Sequence, residues 1–194
     1  SSFESLHKRG YRPAIGNAPL KENLASGLLK MTEWNGTKPL VDLMCGSGTF
    51  LIEAINQIFK VPLKFQQFYL FENWLDFNKN IYLDEKNKAQ KKVISFDKLS
   101  KIIGCEINKD VFDQAKVNIK LAGLENYIEL QNDDFKNIQF KSSEGLVLCN
   151  PPYGKKLGDE NELITLYEDM GEFLKSNFSG WEFWLLSGNP KLTR

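Results

Sequence analysis

The chain has 194 residues, 42% of them hydrophobic, and its 25 basic and 25 acidic residues balance to a net charge of zero. That length suits one domain with a sizeable core, and no apolar run is long enough to span a bilayer. Bulk charge gives no support to a nucleic-acid partner, because lysine and arginine that neutralise phosphates normally leave a basic footprint; such binding would need a local patch or a further domain.

Cys45, Cys105 and Cys149 are odd in number and widely spaced, which argues against a disulfide framework and for a reducing, cytoplasmic compartment. No signal peptide is visible in the sequence, and the start at Ser1-Ser2 without Met leads us to expect a fragment or an internal domain.

In chain order, residues 1–38 form an N-terminal segment with one amphipathic helix (Leu20, Leu24, Leu28, Met31) behind a Gly/Pro-rich lead. The domain proper spans 39–194. Its predicted strands are 40–44, 101–105, 127–130, 146–149 and 182–186, mostly continuous apolar runs of the kind buried on both faces of a parallel sheet. Helices are predicted over 49–59, over 110–121 with Gly123 as its stop, and over 160–177. The last repeats Leu163, Tyr167, Met170 and Leu174, with Asp159 and Glu162 placed as a cap. Residues at about 60–100 read as an insertion holding Phe65, Phe68, Tyr69, Phe71, Trp74, Phe77 and Tyr82. These aromatics make either a local mini-core or a platform on which bases stack. Strand–helix alternation predicts an α/β fold, Rossmann-like, with an open and mostly parallel sheet and helices on both faces.

The strand at 40–44 runs into Asp42, Met44, Cys45, Gly46, Gly48 and Thr49, a glycine turn opening a helix. The third glycine of a dinucleotide fingerprint is replaced by Leu51, and no Walker lysine follows. A turn that approaches a ligand without a pyrophosphate arrangement suits a nucleoside cofactor such as S-adenosyl-L-methionine. Glu106, followed by Ile107, ends the next strand, where a carboxylate can accept both ribose hydroxyls. Asn132, Asp133 and Asp134 end the third, where a carboxylate or an amide can meet an adenine amino group. The strongest signal is Asn150-Pro151-Pro152-Tyr153, a proline-stiffened loop straight after an apolar strand. The Asn150 side chain and the Pro151 main-chain carbonyl can accept N–H bonds from a planar exocyclic amine, and Tyr153 offers a flat face to its ring. That chemistry needs no metal and does not use His7, the one histidine. The cysteines, each just before Gly46, Glu106 or Asn150, read as small buried side chains rather than zinc ligands. Lys155 and Lys156 suit a phosphate contact or a solvated turn.

On these residues the chain resembles the amino-methyltransferases that use S-adenosylmethionine, and among them the THUMP-associated ribosomal RNA guanine-N2 methyltransferase group. The resemblance runs through residues 5–12, 18–25, 42–54, 71–74, 150–154 and 156–158. It implies that Asp42, Gly46, Gly48, Glu106 and Asp134 (the better match of the acidic pair) hold the cofactor. It also implies that residues 150–153 are the catalytic motif, and that the helix led by Leu20, Lys21 and Glu22 closes one side of the pocket. Guanine N2 in ribosomal RNA, with the large subunit favoured, is the implied acceptor. The tetrapeptide alone equally allows adenine N6 in DNA or RNA, and a non-catalytic nucleoside-binding module is the reading from another class. Family members carry an N-terminal RNA-binding THUMP domain and a terminal strand hairpin. Neither is in the sequence, so a longer protein is expected.

Overall fold

A computed structural model of the chain describes residues 9–11, 20–59, 70–91, 99–153 and 160–193. Five strands, β1 (Leu40–Asp42), β2 (Ile102–Cys105), β3 (Ile128–Gln131), β4 (Leu146–Cys149) and β5 (Glu182–Leu185), form one sheet in the order β3-β2-β1-β4-β5. Every neighbouring pair is parallel. Each expected strand is present, within two residues at either end. The fold is Rossmann-like, and the order reverses between β1 and β4, where open α/β sheets bind ligands.

All residues of β1, β2 and β4 are buried. Their side chains alternate between two cores. Leu40, Ile102, Leu146 and Leu148 meet α1 (Glu22–Met31), α2 (Thr49–Ile58) and α4 (Lys109–Leu121) on one face. Val41, Ile103, Val147 and Cys149 meet α5 (Glu160–Asn177) on the other. This double cover requires apolar residues at successive positions. β3 and β5, the flanks among the described residues, expose Glu129, Glu182 and Phe183.

α2 is buried at every position from Thr49 to Ile55, because the sheet lies on one side of it and α1 on the other. α4 begins at Asn108, whose side chain accepts from the amides of Asp110 and Val111. It ends at Gly123, at φ +70°, where the Gly123 and Leu124 amides donate to Lys120 and Ile119. α5 buries Leu163, Tyr167, Met170 and Leu174 as its spacing predicts; Asp159, its expected cap, lies outside the described residues.

α1 departs from expectation. Leu24 and Met31 of the predicted apolar stripe are 46% and 62% exposed, and Leu20 and Leu28 are only half-buried. The helix instead buries Glu22, Ala25 and Leu29. The small Ala25 lets α1 approach α2, and a buried acid at Glu22 is invisible to a search for apolar periodicity. The same interface holds an ion pair. Arg9 Nε and one Nη donate to the two carboxylate oxygens of Glu53 at 3.3 and 3.2 Å, and the Tyr11 hydroxyl donates to the first at 3.1 Å. Burial pushes the Glu53 carboxyl up from its ordinary value, while Arg9 and Tyr11 pull it down.

Between α2 and β2 lie a 3-10 turn (Leu70–Asn73) and α3 (Lys79–Lys91). Here Phe71 packs 5.8 Å from Phe77 and 5.5 Å from Tyr82, ring centre to ring centre. Trp74 touches Phe71 from the rim and is 62% exposed. The described aromatics therefore pack on one another as a half-buried cluster; Phe65, Phe68 and Tyr69 fall outside the described residues. No helix among those described is long and apolar enough to cross a membrane.

Candidate cofactor and acceptor site

The carboxyl ends of β1, β2 and β4 deliver the candidate residues to one edge of the sheet. Gly46 and Gly48 have φ values of +55° and +81°, the left-handed region that glycine enters freely, so the turn after β1 can double back into α2. Three contacts fix it. The Cys45 amide donates to the Cys105 carbonyl at 2.8 Å, the Gly48 amide to the Cys45 carbonyl at 2.9 Å, and the buried Asn118 side chain to the Ser47 carbonyl at 3.0 Å. A Cβ built on Gly46 would meet nothing within 4 Å, so the turn's backbone is open to an approaching ligand.

Glu106 joins the first two strand ends. One of its carboxylate oxygens accepts the Gly46 amide at 3.1 Å and the other the Asn108 amide at 2.8 Å. An ionised carboxylate offers about four lone-pair sites. These two bonds leave acceptor capacity for a ribose diol. Ile107 beside it is 69% exposed, an apolar surface at the site's edge. Asn132, from the third strand end, clamps this corner by donating to the carbonyls of Glu106 and Ile107 at 2.8 and 3.2 Å.

Geometry separates the acidic pair. Asp133 Oδ1 accepts both the Asn137 side chain at 2.8 Å and the Asp134 amide at 2.7 Å, bonds that hold its carboxyl below the usual range. Asp134 accepts the Lys136 amide at 2.9 Å as the cap of a 3-10 turn, Phe135–Asn137. Asp133 is thus committed to shaping the loop, and Asp134 keeps more acceptor capacity.

Asp42 sits deeper. It is 1% exposed, accepts the Met44 amide at 3.2 Å, and is pushed up to about 7 by burial. Cys45, Cys105 and Cys149 are buried, and burial pushes all three thiols up, Cys105 to about 11. They pack as protonated small side chains under the loops, and no metal-binding group of three or more His, Cys, Asp or Glu occurs among the described residues.

Straight after β4, Asn150 is half-buried and Pro151 buried. The Asn150 Oδ1 is inaccessible to solvent and has no hydrogen-bond partner among the described residues. An orphaned acceptor of this kind costs about 1–3 kcal/mol and suits a donor supplied by a bound substrate. Tyr153 is 41% exposed, and one side of its ring rests on Gly188, in the turn after β5. Thr49 is buried at the start of α2, and Glu22 on the α1 face turned to α2; Leu20 and Lys21 precede that helix, half-buried and exposed. Lys155 and Lys156 lie outside the described residues. Two supporting residues escaped the sequence reading, Asn118 and Gly188, and Asn132, read there as an amide for the adenine, instead donates to the Glu106 and Ile107 carbonyls. Only Asn118 left a signal, an amide on the apolar side of α4 between Ala115 and Ile119.

An open glycine turn, an anchored carboxylate with spare acceptors and an orphaned amide oxygen fit S-adenosylmethionine on one side and an amine acceptor on the other. Comparison with known proteins places the chain among methyltransferases. The profile of the family described as UPF0020, RMKL-like, methyltransferase domain, matches residues 9–194. A Synechocystis sp. protein provisionally designated an RNA methyltransferase is 43% identical over 98% of this chain and 50% of its own length. The ribosomal RNA large subunit methyltransferase K/L of a Marinomonas sp. is 36% identical over 100% of this chain and 28% of its own length. Among solved structures, SMU.472, provisionally designated a methyltransferase and complexed with SAH, superimposes with a TM-score of 0.89 at 30% identity, over 98% of this chain and 49% of that one. The chain therefore spans half or less of the length of each of these relatives.

Proposed function

This chain belongs to the UPF0020 family of RMKL-like methyltransferase domains, and from that premise we propose that it is the catalytic part of an S-adenosylmethionine-dependent enzyme that methylates the exocyclic N2 amine of guanine in ribosomal RNA, the large subunit favoured. The observation that carries this reading is the buried, unpartnered Asn150 Oδ1 at the end of β4, beside the switch point that holds the glycine turn.

In this reading Gly46, Gly48 and the flanking Met44, Cys45 and Thr49 shape the wall against which the cofactor lies. Glu106 accepts from its ribose, Ile107 packs on its adenine and Asp134 meets the adenine amino group. Leu20, Lys21 and Glu22 close the far side, and Asp42 braces the turn from below. Bound S-adenosylmethionine supplies a methyl group already activated by its sulfonium.

The acceptor amine is a poor nucleophile because its lone pair is delocalised into the ring. Asn150 Oδ1 accepts one N–H and the Pro151 carbonyl the other, which turns the lone pair out of conjugation and stabilises the positive charge that grows on nitrogen. Pro151 and Pro152 hold these carbonyls in place before substrate arrives, and Tyr153 stacks on the base, extruded first where it lies in a duplex. In this reading the protein is a longer cytoplasmic one with much of its RNA affinity in an N-terminal THUMP domain, as the family resemblance implies, and the neutral charge of this chain is compatible with that division.

The test uses the full-length protein, labelled cofactor and unmodified ribosomal RNA. Nuclease digestion followed by mass spectrometry should find the label in N2-methylguanine, and a strain lacking the gene should lack one such site. Label in N6-methyladenine would overturn the assignment of the base.

A further inference from the structure

We infer that the turn after β5 is part of the acceptor site, and that Gly188 is a positioning residue that sets the angle of the Tyr153 ring. The inference rests on the reading of residues 150–153 as the acceptor loop.

The two prolines before Tyr153 fix the main chain but not the side-chain torsions of the tyrosine. A stacking platform needs those torsions fixed as well, and the structure supplies a second support. The Leu186 amide donates to the Cys149 carbonyl at 2.9 Å, so the β4–β5 pairing runs up to the residue before Asn150, and the two loops leave the sheet side by side. The β5 turn is braced internally. Ser187 Oγ donates to the Asn189 carbonyl and accepts the Asn189 amide, both at 3.1 Å, and Asn189 Oδ1 accepts the Lys191 amide at 3.1 Å.

At the tip of this firm turn, a Cβ on Gly188 would fall 2.5 Å from Tyr153 Cδ2, 2.6 Å from Cε2 and 3.4 Å from Cγ. No real Cβ tolerates the first two distances, so any side chain there displaces the ring. Gly188 has a φ outside the left-handed region, whereas Gly46 and Gly48 do not. Glycine is therefore required here for space, and alanine tests sterics without backbone strain. Tyr153 remains 41% exposed, which leaves ring surface for a base.

The experiment compares wild type, Gly188→Ala, Tyr153→Ala and the double variant in the full-length protein. Labelled methyl transfer to ribosomal RNA gives kcat and KM, and calorimetry gives cofactor affinity. Because removing an aromatic under a base costs about 1–3 kcal/mol, G188A should lower kcat/KM for RNA by about 10- to 100-fold and leave cofactor Kd within about twofold. In the Y153A background the same change should have no further effect, since it acts through the ring. Independently of turnover, the Gly188 Hα proton resonances should be shifted by the ring in wild type and revert in Y153A. Full activity of G188A, effects that multiply with Y153A, or equal loss of cofactor affinity would each overturn the inference. Label in adenine would correct the base alone, and the Gly188 dependence would then be read on that base.

Discussion

Replacing Arg9 with alanine should destabilise the domain by about 3 kcal/mol near neutral pH, because it strands a buried carboxylate. Glu53 is 2% exposed and the Arg9 side chain 11%, so neither charge is screened by water as a surface pair would be. Of the three donors to the Glu53 carboxylate among the described residues, R9A removes two and leaves the Tyr11 hydroxyl. Breaking one side of a buried pair typically costs about 3–5 kcal/mol, and the remaining tyrosine bond places R9A at the lower end. The effect must depend on pH. Burial already holds Glu53 above its ordinary value, and loss of Arg9 lets it rise further. A carboxyl raised in the folded state gives its full stability below the unfolded value of about 4.3 and loses it as pH climbs through the folded value. The deficit of R9A relative to wild type should therefore be small near pH 5 and full at pH 8. Urea denaturation followed by far-UV circular dichroism at both pH values measures it. A deficit below about 1 kcal/mol, or one equal at the two pH values, would refute a stranded buried charge as its cause.

Asn150→Ala should abolish methyl transfer while calorimetry finds cofactor affinity intact; equal loss of both would show that Asn150 serves the cofactor rather than the amine. Asp42, raised from its ordinary 3.8 to about 7 by burial, contributes stability at low pH that fades as pH rises through 7. Asp42→Asn should therefore flatten the thermal stability profile between pH 5 and 8, and an equally steep profile would exclude that titration. Gly104→Ala would place a methyl 2.4 Å from Leu51 Cδ1 and 3.0 Å from both Cys45 Sγ and Leu130 Cδ2. Overpacking of this kind costs about 1–3 kcal/mol, so an unchanged melting temperature would contradict it.

The elements of this fold were legible where burial demands continuous apolar sequence. β1, β2 and β4 are covered on both faces and read as unbroken runs, and α5 carries its core positions at helical spacing. The strand-end residues were legible for a related reason: a parallel sheet gathers its loops at one edge, so an unusual residue after each strand belongs to a common site. What escaped notice depends on pairings across long stretches of chain. Arg9 finds Glu53, Asn118 finds Ser47 and Gly188 finds Tyr153, and no local pattern announces any of them. The buried face of α1 was missed because its contact residues include a carboxylate and an alanine, which burial makes useful and hydrophobicity does not mark.

The position of β1 has a consequence for how the protein is made. Leu40 pairs with Ile102 on one side and with Leu146 on the other, so the central strand leaves the ribosome long before its second neighbour. During that interval the glycine turn exists without the loop that faces it, and the edge of β1 stays open to foreign strands. Contacts so distant in sequence form slowly. Asn150 and the glycine turn are thus brought together late, when β4 slots in beside β1. A nascent chain short of β4 has neither a complete sheet nor the loop at 150–153, and the β5 turn that rests on Tyr153 arrives later still.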